Sequence, residues 1–102
     1  MASTLPSPTA LVTPFVSNAS VQVAGVNLTR SALYVFNPSA SITIWVTPLG
    51  NTAAVLGAGC VAVQPQQGLY FGPPTMGQWT NGMNAIASSA GSNVLCILEF
   101  YQ

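Results

Sequence analysis

Few residues of this chain can do acid–base or nucleophilic chemistry. Among its 102 residues, Arg30 and Glu99 are the only charged side chains, Cys60 and Cys96 are the only thiols, and there is no His, Lys or Asp. General acid–base catalysis draws on His, Asp, Glu or Lys, and hydrolysis by a carboxylate pair needs two acidic residues. The Ser, Thr and Cys nucleophiles have no His or Lys to activate them. The composition therefore predicts a protein that is not an enzyme, unless another subunit completes a site, and that uses no cofactor.

The same shortage bears on metals, nucleic acids and membranes. Two thiols without His or Asp fall short of the four N or S ligands that zinc usually takes. Nucleic-acid binding normally rests on several basic residues that neutralise phosphates, and one Arg is too few. A membrane-spanning helix needs about 18 consecutive apolar residues. The longest such run, residues 53–63, is shorter and contains Gly57 and Gly59. We expect no metal site, no nucleic-acid partner and no membrane partner.

The two cysteines have two possible states. They can form one disulfide, or both can remain free. Each lies in an apolar stretch, and Pro6 and Pro8 occupy the place where a secretory signal would carry its apolar core. Because disulfides belong mainly to oxidising compartments, these observations favour free, buried thiols.

Arg30 opens a predicted strand and Glu99 lies near the end of the last one. If these two strands pair antiparallel, the start of one meets the end of the other, and the cation lies beside the anion. Each buried charge would then have a partner. A role for either residue on a ligand is the alternative, but a structural ion pair that sets the strand register is the preferred interpretation.

The composition is strongly apolar for a chain with so little charge. Hydrophobic residues make up 50% of the chain and charged residues 2%, whereas roughly 25% of the residues of an ordinary soluble domain are charged. A neutral surface gives little protection against self-association. We therefore expect partners to cover much of the surface. The alternative is a monomer that Ser, Thr, Asn and Gln alone keep soluble.

Residues 30–47 show the clearest structural pattern. Residues 31–36 and 42–47 are rich in aromatic and β-branched residues, and residues 37–41 are typical of a turn. This pattern predicts a β-hairpin with a five-residue loop. Both faces of its first strand are apolar, so we expect that strand to be covered on both sides. In the second strand we expect Ile42, Ile44 and Val46 to face inward, and Trp45 to pack in the core.

The remaining segments also favour strands over helices. Residues 15–23, 60–64, 69–71, 84–88 and 94–101 read as short strands between turns, and no segment has the 3.6-residue apolar period of an amphipathic helix. Residues 53–56 are a further short strand or a loop. About seven or eight strands with frequent turn signals predict an all-β fold, an antiparallel β-sandwich or jelly roll. We predict one such domain over residues 15–102, preceded by an extended, proline-containing arm over residues 1–14, either placed on a neighbouring subunit or disordered.

A series of motifs resembles a known group of proteins. It runs from R-x-x-L-x-V-x-N-P-S at residues 30–39 through I-x-I-W-V at 42–46 and a glycine-rich stretch before Val61. It continues with L-Y-F-G-P-P at 69–74 and a Trp loop, and ends in a last strand that carries Glu99. This order resembles small β-sandwich capsid decoration (cement) proteins and accessory virion proteins of tailed bacteriophages. Pro73 and Pro74 depart from that pattern, as does the near absence of charge.

The resemblance implies a structural protein on the virion surface. It would bind the major capsid protein on the outside of the shell, often as a homotrimer, and hold neighbouring subunits together. Large apolar side chains and the proline-containing arm suit such interfaces. The candidate interface residues are Pro6, Pro8, Leu11, Pro14, Tyr70, Trp79 and Tyr101. For Trp79, packing at the end of the core is an equal alternative.

Two other functions are compatible with the sequence. The first is a tail or fibre module that recognises a host surface glycan through Trp79 and Tyr70, with Gln78, Asn81 and Asn84 nearby. Sugar sites usually combine an aromatic face with several polar side chains. The second is a major coat protein that forms the shell itself.

Overall fold

Ten short strands and no helix make up the regular structure of residues 7–74 and 76–101, the part of the chain that this computed structural model describes. Neighbouring strands are antiparallel. The predicted all-β fold is confirmed. The strands are β1 (Ser7–Val12), β2 (Phe15–Val16), β3 (Val21–Ala24), β4 (Arg30–Phe36), β5 (Ile44–Thr47), β6 (Val61–Val63), β7 (Gly68–Phe71), β8 (Met83–Ala87), β9 (Asn93–Val94) and β10 (Cys96–Tyr101).

The strands form two four-stranded sheets and one small sheet. The first sheet has the order β1-β10-β4-β7, the second has the order β3-β8-β5-β6, and β2 pairs with β9. Inward-facing residues of all three sheets share one hydrophobic core, so the architecture is a β-sandwich. Each fully buried aliphatic side chain contributes roughly 1.5–3 kcal/mol through loss of contact with water. The fully buried large residues of this core are Val16, Leu33, Val35, Ile44, Val46, Val63, Met83, Leu95 and Ile97.

The hairpin predicted over residues 30–47 is wrong. β4 pairs with β10 and β7, whereas β5 pairs with β8 and β6, so the chain passes from the first sheet to the second between them. Asn37 holds this crossing. Its buried amide donates to the carbonyl oxygens of Ile42 at 2.6 Å and Val63 at 2.9 Å, and its Oδ1 accepts from the Ser39 amide at 3.0 Å. The chain therefore turns at these residues, as predicted, but the turn leads to the other sheet.

Three changes account for ten strands where seven or eight were predicted. The strand predicted over residues 15–23 is divided into β2 and β3. The last strand is divided into β9 and β10 at Leu95, whose side chain is fully buried. Within residues 1–14, where an extended arm was predicted, residues 7–12 form β1 and pair with β10 of the same chain, and Pro6 lies outside the described residues. Residues 53–56 form no strand.

The edge strands are built in ways that discourage pairing with another chain. Both β1 and β3 show a register shift, after Pro8 and after Gln22 respectively. β6 has three residues and is soon followed by Pro65, and β7 is soon followed by Pro73 and Pro74. Bulges, short strands and prolines are common protections of sheet edges. Charged residues, another common protection of edges, are not available here for this purpose.

Candidate interaction surface

The two charged side chains lie together inside the molecule. Arg30 Nη1 is 2.9 Å from Glu99 Oε1, and the Arg30 side chain is 0% exposed while that of Glu99 is 17% exposed. The antiparallel pairing of β4 with β10 brings them together, as the sequence indicates. The same guanidinium donates to three carbonyl oxygens, those of Gly25, Trp79 and Asn81. Arg30 is therefore committed to contacts within the chain.

Those contacts close one end of the sandwich. Besides accepting from Arg30, Trp79 donates its amide to the Ser31 carbonyl at 2.8 Å. The indole lies 5.5 Å from the Phe71 ring, at an interplanar angle of 33°, and packs against the core. Trp79 therefore packs at the end of the core, as one of its two predicted positions requires.

The polar residues near Trp79 hold loops in place. The Gln78 amide donates to the carbonyl oxygens of Leu28 and Arg30. The Asn84 amide donates to those of Gly50 and Asn51. Asn81 accepts from Arg30 through its backbone carbonyl. The groups that would form a sugar site are thus engaged mainly within the chain.

A different surface is the most unusual one, the outward face of the first sheet. Side chains alternate along a strand, and residues opposite each other on neighbouring antiparallel strands lie on the same face. Leu33, Val35 and Ile97 are 0% exposed and point into the core, so their neighbours along β4 and β10 point outward. We call this surface the outer apolar face. Its large side chains, none of them charged, are Leu11, Tyr34, Phe36, Tyr70, Leu98 and Phe100.

Small residues allow the rings of this face to lie across the strands. The Tyr70 and Phe100 rings meet edge to face with centroids 6.2 Å apart, although β4 lies between their strands. Ala32 is opposite Phe100 and leaves room for that contact. The Tyr34 ring covers Gly68 on the neighbouring strand, at a point where a β-carbon would overlap it. The Tyr70 hydroxyl donates to the Pro73 carbonyl at 2.6 Å. The face is thus well packed, and one of its two phenol hydroxyls is bonded within the chain.

A second apolar surface lies on the loops at the end closed by Trp79. Val26, Leu28 and Leu49 are 72%, 77% and 73% exposed. Their loops contact the loop that carries Trp79 and Thr80. The Asn27 backbone amide donates to the Thr80 carbonyl oxygen, and a β-carbon on Gly50 would lie 3.0 Å from the Gly82 carbonyl oxygen. We call these three residues the apolar loop end.

The other predicted interface residues are scattered. The Pro14 carbonyl accepts from the Leu95 backbone amide at 3.1 Å. The Tyr101 hydroxyl accepts from the side-chain amide of Asn27 at 2.7 Å. Pro8 lies in β1, opposite Phe100. Tyr70 and Leu11 therefore share one face, whereas Trp79 and Tyr101 lie near the end of the sandwich.

Trp45 does not pack in the core, contrary to the sequence interpretation. It is half-buried between Ile86 and Ala62 on the outward side of the second sheet, because Ile44 and Val46 on either side of it point inward. Both cysteines are free and half-buried. Among the described residues, no group of three His, Cys, Asp or Glu side chains is placed to hold a metal ion.

No protein-family model, curated protein or solved structure matches this chain. In the part of the chain that the structure describes, no helix has the length and apolar character needed to cross a membrane.

The sequence contains a signal for the outer apolar face. Both faces of β4 and of most of β10 are apolar, which predicts cover on each side of these strands. The core covers one side. The sequence interpretation pairs β4 with β10 through Arg30 and Glu99, and the structure has that pairing. The pairing of β4 with β7, which aligns Tyr34 with Tyr70, was not predicted, because it joins residues far apart in the chain.

Proposed function

We propose that this protein is a structural virion protein, a capsid decoration (cement) protein that binds the outside of a bacteriophage shell and stabilises contacts between capsid subunits. One observation carries the proposal. Its two charged side chains are paired with each other, while large apolar side chains are exposed in several parts of the surface. A protein that works free in solution generally carries more surface charge. A protein that is covered after assembly does not need it.

The placement of the apolar residues supports a bridging role. A cement protein has to contact at least two neighbouring subunits. The outer apolar face lies on one side of the sandwich and the apolar loop end lies at one of its ends, so one small domain offers two separate contact surfaces. Uncharged, apolar surfaces suit interfaces with a dry centre and a polar rim. The major capsid protein is the proposed partner, with homotrimers as the proposed assembly.

The proposal is tested on particles of the phage that encodes the chain. Mass spectrometry of purified particles should detect the protein, and stripped particles should bind it again. Leu28→Lys and Leu49→Lys place a charge on the apolar loop end, and both should lower the number of copies bound. Asn18→Lys adds the same charge at another exposed position and should bind normally.

Other outcomes would contradict the proposal. Particles without the protein, or equal rebinding by all three variants, would exclude a shell contact through this end. Recovery with tail fibres and binding to isolated glycans would support the host-recognition module instead. Closed shells formed by the pure protein alone would identify a coat protein.

A further inference from the structure

One peptide bond of this chain joins two residues that can react with each other, an asparagine and the glycine after it. Asparagine is thermolabile because the backbone nitrogen of the next residue can attack its side-chain amide. Glycine leaves that nitrogen the most open and gives the backbone the most freedom to bend. Asn81 and Gly82 are the only such pair in the sequence, since every other asparagine is followed by a residue with a side chain.

The structure leaves the Asn81 side chain free to react. Asn81 is exposed in the loop before β8. Its backbone carbonyl accepts a hydrogen bond from Arg30, but its side chain makes none to another described residue. Other asparagines are held by side-chain amides that donate to acceptors elsewhere in the chain, namely those of Asn27, Asn37, Asn84 and Asn93. Sequence and accessibility therefore point to the same residue.

We propose that Asn81 and Gly82 form a spontaneous deamidation site whose product is held by Arg30. The Gly82 backbone nitrogen loses its proton and attacks Asn81 Cγ, and the side-chain nitrogen takes up a proton and leaves as ammonia. Water then opens the resulting succinimide ring at one of its two carbonyl carbons. Opening at Cγ gives aspartate. Opening at the backbone carbonyl gives isoaspartate, in which the main chain continues through the former side chain. Either way one water is consumed and one negative charge is gained.

Arg30 favours the isoaspartate. Its Nη2 donates to the Asn81 carbonyl oxygen at 2.6 Å, the shortest hydrogen bond that Arg30 makes. A cationic donor at this oxygen stabilises the negative charge that develops there when water attacks the backbone carbonyl. After ring opening the same oxygen belongs to a carboxylate, so the hydrogen bond becomes one between opposite charges. Arg30 then has a second anionic partner beside Glu99.

The modification changes the end of the sandwich that carries the apolar loop end. Isoaspartate adds one carbon to the main chain directly before Gly82, where packing is tight, since a β-carbon on Gly82 would lie 3.1 Å from the Ala24 carbonyl oxygen. The loop that holds Trp79 therefore has to shift. The formal net charge of the chain is zero, so the new carboxylate makes an otherwise neutral protein anionic.

Ageing the purified natural chain at mildly alkaline pH tests the site, because the attacking nitrogen has to lose its proton. In chymotryptic peptides analysed by mass spectrometry, Asn81 should convert to the acid. Asn18, which is also exposed but precedes Ala19, should keep its amide. Asn81→Gln is the matched variant, since glutamine would have to close a larger ring, and it should show no acidic shift in isoelectric focusing. An unchanged Asn81, or conversion of Asn18 at the same rate, would overturn the proposal.

The share of isoaspartate tests the part assigned to Arg30. Enzymatic methylation specific for isoaspartate measures that share in the natural chain aged folded and aged in urea. The folded chain should give the higher share, because only there does Arg30 contact the Asn81 carbonyl. Equal shares would overturn the role of Arg30.

A consequence for assembly rests on the proposed cement role. Fresh protein should bind stripped phage particles, the aged natural chain should lose most of that binding, and the aged N81Q chain should keep it, because a charge is costly in a dry interface. Full binding by the aged natural chain would overturn this consequence. Failure of the fresh protein to bind would contradict the cement role, while the peptide analysis would still decide on the modification site.

Discussion

Arg30 donates more side-chain hydrogen bonds than any other residue of the described structure. One guanidinium reaches Glu99 on β10 and carbonyl oxygens in two loops. A planar fork of donors can satisfy several acceptors at fixed angles, which a lysine ammonium at the end of a flexible chain does poorly. The sole basic side chain of the protein is therefore used for structure, and it is buried together with the groups that neutralise it.

Arg30→Met should lower the free energy of unfolding by about 3–5 kcal/mol, because it removes one partner of a buried ion pair and leaves carbonyl oxygens without donors. Arg30→Lys should recover little of that loss. Urea unfolding measured by tryptophan fluorescence gives the values. Glu99→Gln is the control, since it keeps an acceptor for Arg30 and should cost less. Equal stability of R30M and the natural protein would contradict a structural role.

Asn37 is the second residue on which the fold depends. It is fully buried, and its amide joins the end of β4 to β6 of the other sheet. Asn37→Ala should cost about 2–4 kcal/mol, because it leaves the Ile42 and Val63 carbonyls and the Ser39 amide without these partners. Asn18→Ala, at an exposed position, should change stability little. Thermal unfolding followed by circular dichroism compares the two, and similar melting temperatures would show that the crossing does not need Asn37.

At the level of elements, pairing partners follow from the packing of the whole sheet. β4 is a central strand of the first sheet, with β10 on one side and β7 on the other. Both of its faces are apolar, which suits a strand that is covered on each side. Its nearest neighbour in the chain, β5, instead lies in the second sheet. Local turn residues indicate where a strand ends, but they do not specify the sheet to which the next strand belongs.

Gly68 shows how two strands fit together. Its position on β7 lies under the Tyr34 ring, so the β-carbon of Gly68→Ala would displace that ring. We expect a loss of about 1–3 kcal/mol from overpacking. Gly77→Ala is the matched control, because a β-carbon there has no atom within 4 Å.

The double variant Gly68→Ala/Tyr34→Ala tests the cause of that loss. If the clash with the ring is responsible, the two substitutions together should cost less than the sum of the single costs. Urea unfolding of the four proteins completes the cycle. If the two stability losses are strictly additive, the loss in Gly68→Ala does not come from the Tyr34 ring. It would then come from another cause, for example the backbone of β7.

At the level of the whole molecule, the lack of free charge should govern how association responds to salt. Sodium chloride screens interactions between charges, and here the side-chain charges are already paired. Raising its concentration to about 0.5 M should therefore leave shell binding nearly unchanged. Sulfate should strengthen shell binding, because it favours burial of apolar surface. Light scattering across the two salt series measures this, and dissociation by sodium chloride would reveal a charged contact.

Several features of the fold were predictable because they depend on neighbours in the sequence or on composition. Short apolar runs between glycines, prolines and asparagines indicate strands and turns, which is enough for an all-β fold. The pairing of Arg30 with Glu99 was predictable for a different reason. The chain has one cationic and one anionic side chain, so if both are buried, each can be neutralised only by the other. The positions of Trp45 and Trp79 were not predictable in this way, because each depends on which face of a strand or loop meets the core.

The sequence by itself determined the all-β class, the scarcity of catalytic groups and the neutrality of the surface, since these follow from residue types and from their short-range order. Only the tertiary structure decided that β4 and β5 lie in different sheets and that Ser7–Val12 adds a strand to the first sheet. It also decided that six large apolar side chains from four strands form one outward face. The physical reason is that strand pairing joins residues distant in sequence, such as Leu11, Leu98 and Tyr34. The partner of each strand is selected by burial and hydrogen bonding over the whole sandwich, not by any local pattern.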